Sequence, residues 1–207
     1  MGRDKALLTL KRRRLWRRQR DVLRLAGAEE LLLSARPDQA WARRADVCDL
    51  VVTDSAPGLG PLAGLVAALE HAAHDHLMVL AIDLPRLPVP WFRELIADCG
   101  PDTGAVGIRA GRFEPLAAIY PRRFLLLARA ALARGDLALQ PLVNEAVTAG
   151  LLHARPIKAA EAHWVENWNT PAEAAGTETI SEIACEGSAN RAPRGCEDFL
   201  QPRSNLN

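Results

Sequence analysis

The stretch Leu77-Met-Val-Leu-Ala-Ile-Asp-Leu-Pro-Arg-Leu-Pro88 constrains the fold more than any other part of the chain. The consecutive apolar residues Leu77 to Ile82 suit a strand covered on both faces, the pattern of a sheet sandwiched between helices. Asp83 and Pro85 end that run. An acid thus stands at the carboxyl end of a buried strand, where open α/β sheets bind their ligands. A carboxylate there can hold a hard cation such as Mg²⁺. The same residue type also caps turns and helix starts, and this stretch alone leaves both uses open.

At 207 residues the chain suits one sizeable domain rather than two. Its formal charge of +1 gives no global field pointing to nucleic acid or a membrane. Cys48, Cys99, Cys185 and Cys196 form no CxxC pair and stand near no histidine set, a spacing that favours reduced thiols in a cytoplasmic protein. No apolar run approaches the ~18 residues of a membrane span, and no secretory peptide is visible. The expectation is a cytosolic α/β domain.

From Lys11 to Arg24 basic residues dominate, with Leu15, Trp16, Gln19, Val22, Leu23 and Ala26 at near-helical spacing. This reads as an amphipathic helix with an Arg-rich solvent face. The acids Asp4, Asp21, Glu29 and Glu30 argue against a targeting peptide. Gly27 ends the helix, and Glu30 to Ser34 reads as a short strand. Gln39 to Ala45 suits a brief helix. Leu50-Val-Val-Thr53 is a β-branched strand that also ends on an acid, Asp54. Then comes the loop Ser55 to Gly64, rich in Gly and Pro, and a helix to Ala73. Pro61 suits a first helical turn, and the glycines permit close backbone approach to a ligand.

Further on, Trp91 to Cys99 reads as helix. Ala105 to Arg109 and Glu114 to Tyr120 flank Gly111 as two strands joined tightly. Phe124 to Ala133 and Leu139 to Ala149 are helices, Leu151 to Ile157 is a late strand, and Trp164 to Pro171 introduces a last short helix. His71, His74 and His76 sit where helix gives way to strand, and no metal is expected there. Glu114 reads as a strand-end acid. Residues 1–176 are expected to form the domain, and 177–207, rich in Ser, Asn, Gly, Pro and charge, a disordered tail. Strands alternating with helices imply a mostly parallel sheet with helices on both faces. Asp54 and Asp83 end two of its strands, and the amides of the Gly-rich helix start between them can face the same crevice.

Five segments occur in order: Met1-Gly-Arg-Asp-Lys5-Ala, Gly60-Pro-Leu-Ala-Gly64, Ile82-Asp-Leu-Pro85, Phe113-Glu-Pro-Leu116 and Asn167-Trp-Asn-Thr-Pro171. Together they resemble the molybdenum cofactor guanylyltransferases, a branch of the nucleotide-diphospho-sugar-transferase superfamily. The resemblance spans residues 1–175 and implies a three-layer α/β/α Rossmann-like fold. It implies transfer of GMP from GTP to molybdopterin, with Mg²⁺ as cofactor and pyrophosphate released. Molybdoenzymes or their chaperones would be the protein partners. Lys5 matches the lysine that neutralises triphosphate charge, and Asp83 the acid that holds Mg²⁺. Asp54, Gly60, Pro61, Leu62 and Gly64 match nucleotide-binding positions. Asn167 and Asn169 match positions on the molybdopterin side.

The family pattern also places a strand and a Gly-Gly loop ahead of the Met-Gly-x-Asp-Lys segment. The expectation is therefore a sheet that lacks its first strand here, and a longer chain upstream. Two other functions remain open on the sequence: nucleotidyl transfer with CTP or onto a sugar phosphate, and a catalytically silent remnant.

Overall fold

Leu77 and Met78, neighbours in the chain, belong to different hydrophobic clusters. The computed structural model, which describes residues 5–10, 13–44, 46–53 and 59–167, shows their strand to be the middle layer of three. In chain order the elements are β1 (Thr9–Leu10), β2 (Arg13–Arg14), α1 (Leu15–Ala26), β3 (Leu32–Ala35), β4 (Leu50–Thr53), α2 (Gly60–His71), β5 (His76–Leu80), α3 (Val89–Asp98), β6 (Gly104–Arg109), β7 (Arg112–Pro121), α4 (Phe124–Arg134), α5 (Leu139–Thr148) and β8 (Leu152–Pro156). Short 3-10 segments lie at Lys5–Leu7, Ala40–Arg43 and Ala159–Val165. The described residues belong to one unit, Met1–Thr177. The segment assigned to a tail, 177–207, lies outside the described residues.

Side-chain alternation along the strands feeds both faces. Leu77, Val106, Ala118 and Tyr120 pack with α2, α4 and α5. Ala105, Ala117 and Ile119 pack with Val22 of α1 and with Trp91, Phe92 and Leu95 of α3. The larger sheet runs β5-β7-β6-β8. β7 is antiparallel to β5 and β6, while β6 and β8 are parallel. Only β7 therefore opposes the common direction, and the architecture is the expected three-layer, mostly parallel α/β/α sandwich. β3 and β4 form a separate parallel pair. Among the described residues no strand lies between β3 and β5.

Several elements differ in detail from the sequence reading. α1 starts at Leu15 rather than Lys11, because Arg13–Arg14 pair with Thr9–Leu10 and the Leu15 N–H donates to the Leu8 carbonyl. It ends as expected at Gly27, whose φ of 112° only glycine adopts cheaply. The β6–β7 hairpin turns on Ala110 and Gly111, both at positive φ, as a tight two-residue connection demands. The β5 run is less covered than expected. Leu77 is buried, but Met78, Val79 and Leu80 are half-buried, because the edge of β5 away from β7 has no strand partner among the described residues. A 3-10 segment not expected from the sequence spans Ala159–Val165, closed where the Glu161 carboxylate accepts from the Lys158 N–H at 3.0 Å, and the chain is extended at Glu166. The last short helix, expected beyond Trp164 to Pro171, lies outside the described residues.

Candidate active site

Asp83 sits three residues beyond β5, in a turn that α1 grips from one side. Gln19, 5 % exposed, donates from Nε2 to the carbonyls of Ala81 and Leu84, each at 2.9 Å. Arg18 donates from Nε to the Pro85 carbonyl, and burial lowers the pKa of its guanidinium. Leu84 and Leu87 are buried with Trp91 and Val165. With the backbone on both sides of Asp83 fixed, its side chain stays half-exposed and, among the described residues, carries no hydrogen bond or ion pair. The sequence reading placed Gln19 on the apolar stripe of α1 and Arg18 on its solvent face. Neither showed any sign of holding a turn more than 60 residues away.

Arg86, just after this turn, donates to Glu166 at 2.7 Å. That ion pair brings the segment ending in Asn167 beside the Asp83 turn. Asn167 itself is exposed. Asn169, its expected companion, lies outside the described residues.

The Gly-rich segment opens α2. Gly60 takes φ +67° at the first position and Pro61 follows. Among the described residues no side chain caps this end, which leaves its first-turn N–H groups open to water or to an anion. Gly60 and Pro61 are exposed, whereas Leu62 is fully buried in the core under the sheet and Gly64 is buried too. The Leu62 side chain packs inward because it faces the strands, and its backbone N–H belongs to the open end of the helix. Asp54 lies outside the described residues, as does the loop at 55–58.

Lys5 begins the first 3-10 turn and is half-buried. The next residue, Ala6, is 3 % exposed and shares a cluster with Trp16, Leu33 and Ile82. Ile82 directly precedes Asp83, so the Lys5 turn and the Asp83 turn are neighbours. Glu114, on β7, is half-buried, and burial raises its pKa while Arg112 works in the opposite direction. The His71 and His76 rings bond the carbonyls of Ala67 and Thr103. Among the described residues no three His, Cys, Asp or Glu side chains converge on a metal position. A cation at this end would take Asp83 from the described residues and its other oxygens from phosphate and water, which is how Mg²⁺ is usually held.

Residues 1–149 match the MobA-like NTP transferase domain. The chain belongs to that family. A probable molybdenum cofactor guanylyltransferase from Opitutus terrae is 42 % identical over 176 residues, covering 83 % of this chain and 85 % of the relative. A molybdenum cofactor guanylyltransferase from Pseudomonas putida is 32 % identical over 148 residues, 70 % of this chain and 76 % of the relative. Among solved structures, the molybdopterin-guanine dinucleotide biosynthesis protein A of Archaeoglobus fulgidus superposes with a TM-score of 0.64 at 21 % identity, over 84 % of this chain and 89 % of the other. A 2-C-methyl-D-erythritol 4-phosphate cytidylyltransferase from Thermus thermophilus gives 0.63 at 15 % identity, over 84 % and 92 %. At those identities the two structures speak to the fold. The family match bears out the resemblance carried by the motifs, and no helix among the described residues of this MobA-like domain is long and apolar enough to cross a membrane.

Proposed function

We propose that the chain transfers GMP from GTP to molybdopterin, forming the guanine dinucleotide cofactor and releasing pyrophosphate. The observation that carries this reading is Asp83: an unpaired carboxylate at a strand tip, on a turn held rigid from α1. The relatives' names supply the substrate class.

The terminal phosphate of molybdopterin is already an anion, so its attack on the α-phosphorus of GTP needs no general base. The new P–O bond forms as the bond to the β-phosphate breaks, and pyrophosphate leaves with that electron pair. Three anionic centres must be held together, and the protein's task is positioning and charge screening. The uncapped first turn of α2 offers the N–H groups of Gly60 and Leu62 to phosphate oxygens. Lys5 contributes a compact positive charge. Mg²⁺, when bound by Asp83 and phosphate oxygens, would neutralise the charge that builds on the leaving pyrophosphate. Asn167, brought to this end by the Arg86–Glu166 pair, is assigned with Asn169 to the molybdopterin side.

Incubation with molybdopterin, Mg²⁺ and either GTP or CTP tests the reading. The expected product is the guanine dinucleotide with stoichiometric pyrophosphate. Equal or greater turnover of CTP, or turnover of a sugar phosphate in place of molybdopterin, would overturn it.

A further inference from the structure

Two arginines stand opposite each other at the tip of the β6–β7 hairpin. Arg109 ends β6, Arg112 opens β7, and the two are register partners. Like charges directly opposite on a strand pair repel. Both residues are exposed, and neither guanidinium forms a hydrogen bond or an ion pair among the described residues. The Arg-rich helix α1 differs: Arg13, Arg17, Arg20 and Arg24 each reach an aspartate at 3.2 Å or less. The charge of α1 is spent inside the fold, and that of the hairpin is not.

Alternation along the strands shows which way the pair faces. Ile108 and Phe113, opposite each other, pack into the core beneath α2, α4 and α5. Gly107 lies on the other face, where Trp91 and Ile157 cover it. Arg109, two residues after Gly107, and Arg112, next to Phe113, therefore face the α1–α3 layer. The turn at Asp83 belongs to that layer through Leu84 and Leu87, and the segment ending in Asn167 does so through Val165. Both β5 and β6 oppose β7 in direction, so Arg109 stands at the same end of the sheet as Asp83. The hairpin thus shares one face and one end of the sheet with the Asp83 turn and Asn167.

The tip is also held in place. Its turn takes positive φ at Ala110, 48°, and at Gly111, 74°. Gln140, at the start of α5, accepts from the Phe113 N–H at 3.0 Å and donates to the Phe113 carbonyl at 2.8 Å. The Tyr120 hydroxyl donates to the Pro115 carbonyl at 2.8 Å. Between these two anchors Glu114 is half-buried on the face of Arg112, which it attracts without coming within ion-pair distance. That pull biases the Arg112 side chain and leaves its N–H donors open.

We propose that Arg109 and Arg112 hold the phosphate monoester of the acceptor. Two guanidinium forks at a fixed spacing present paired N–H donors, which match the oxygens of a phosphate dianion. Held there, the acceptor phosphate has its repulsion from the triphosphate it attacks offset by two positive charges. The hairpin binds and positions, and no bond is made or broken by it. The identity of the acceptor rests on the transfer reading above, whereas the phosphate chemistry rests on the hairpin.

Phenyl phosphate, a phosphate monoester with neither pterin nor nucleotide, is the probe. Titrated into the unmodified chain without nucleotide or Mg²⁺, it is expected to shift the Arg109 and Arg112 Nε–H resonances saturably and to raise Tm. Phenol is expected to do neither. The double variant Arg109→Gln, Arg112→Gln is expected to bind phenyl phosphate roughly tenfold more weakly or worse, while its own Tm holds or rises because a repulsive pair is gone. Replacement of both by Lys keeps the charge without the fork and is expected to bind between the two. In turnover the Gln variant is expected to raise KM for molybdopterin by roughly tenfold or more and to leave KM for GTP unchanged. The proposal is overturned if phenyl phosphate leaves both resonances unmoved, or if the Gln variant binds it as tightly as the unmodified chain. An equal rise in the KM for GTP also overturns it. Saturable binding at the hairpin in a chain that does not turn over molybdopterin would sink the transfer reading and uphold the phosphate clamp, so the two failures are distinguishable.

Discussion

Gln19 Nε2 lies 2.9 Å from the carbonyl of Leu84 and the same distance from that of Ala81, so one buried amide spans the turn carrying Asp83. Gln19→Met keeps the length and apolar packing of the side chain and removes both donors. The Ala81 and Leu84 carbonyls then keep only the N–H groups of Leu84 and Leu87, at 3.4 and 3.3 Å, so each lost bond costs about 0.5–1.5 kcal/mol. The variant is expected to fold with a lower Tm and to need about tenfold more Mg²⁺ for half-maximal turnover, the usual scale for loss of a group that orients a metal ligand. A Mg²⁺ titration of activity beside a melting curve checks this. A drop in Tm with an unchanged Mg²⁺ requirement would leave Gln19 a purely structural residue.

Asp83→Asn reverses that balance between stability and activity. The Asp83 carboxylate carries no hydrogen bond or ion pair among the described residues, so its loss removes no stabilising contact. Tm is expected to hold or rise slightly while turnover falls by roughly 100-fold or more, as when a charge-stabilising group at a reacting centre is removed. Thermal melting and pyrophosphate release measure the two effects. Activity within a few-fold of the unmodified chain would remove Asp83 from the reaction.

The sequence announced the layers but not the joints between them. The unbroken apolar run at Leu77 to Ile82 told of burial on two faces, and the two cores divide that strand residue by residue. Gly111 marked the β6–β7 turn, and Gly27 the end of α1, because a positive φ demands such residues. Strand direction was less legible: periodicity is the same for parallel and antiparallel strands, so β7 could not be singled out. The site showed a similar division. Asp83 and the Gly60 turn are local signals at element ends. The contacts that support them link residues far apart in the chain, Gln19 to Leu84 and Arg86 to Glu166, and no local pattern encodes such pairs. Glu161 was missed because an acid reads as surface, whereas here it is 5 % exposed against Arg155.

Arg155, buried together with Glu161, is the positive centre of a cluster whose other acids, Glu94 and Asp98, reach the surface. Its guanidinium meets Glu161 at 3.1 and 3.2 Å, Asp98 at 3.9 Å and Glu94, and lies over the Trp91 ring. Burial would raise the pKa of Glu161, but the Lys158 N–H and the Arg155 guanidinium outweigh it, and the pKa lies below the ordinary value. Because the folded value is below the unfolded one, ionised Glu161 favours the fold. That contribution is complete above the unfolded pKa, about 4.3, and is lost as pH falls through the folded value. Tm of the unmodified chain is therefore expected to fall more steeply than that of Glu161→Gln between about pH 5 and pH 3, the two curves converging at the acid end. Arg155→Met leaves three acids facing one another and is expected to cost about 3–5 kcal/mol at neutral pH. Parallel pH-dependent curves for the unmodified chain and Glu161→Gln would refute the assignment.

Gly107 tests the packing that the whole α3 layer rests on. It lies in β6 at the irregularity between Val106 and Ile108, and a Cβ there would overlap the six-membered ring of Trp91. Trp91 cannot swing aside, being fully buried with its Nε1 donating to the Ala117 carbonyl at 2.9 Å. Gly107→Ala is thus an overpacking change, expected to cost about 1–3 kcal/mol and to be visible as a lower urea midpoint. Trp91→Phe alone destabilises by loss of volume and of that hydrogen bond. In the double variant the smaller ring makes room for the new methyl group, so the two losses are expected to sum to less than their separate values by more than about 0.5 kcal/mol. Strict additivity would mean that the ring and the glycine do not share the space the geometry assigns them.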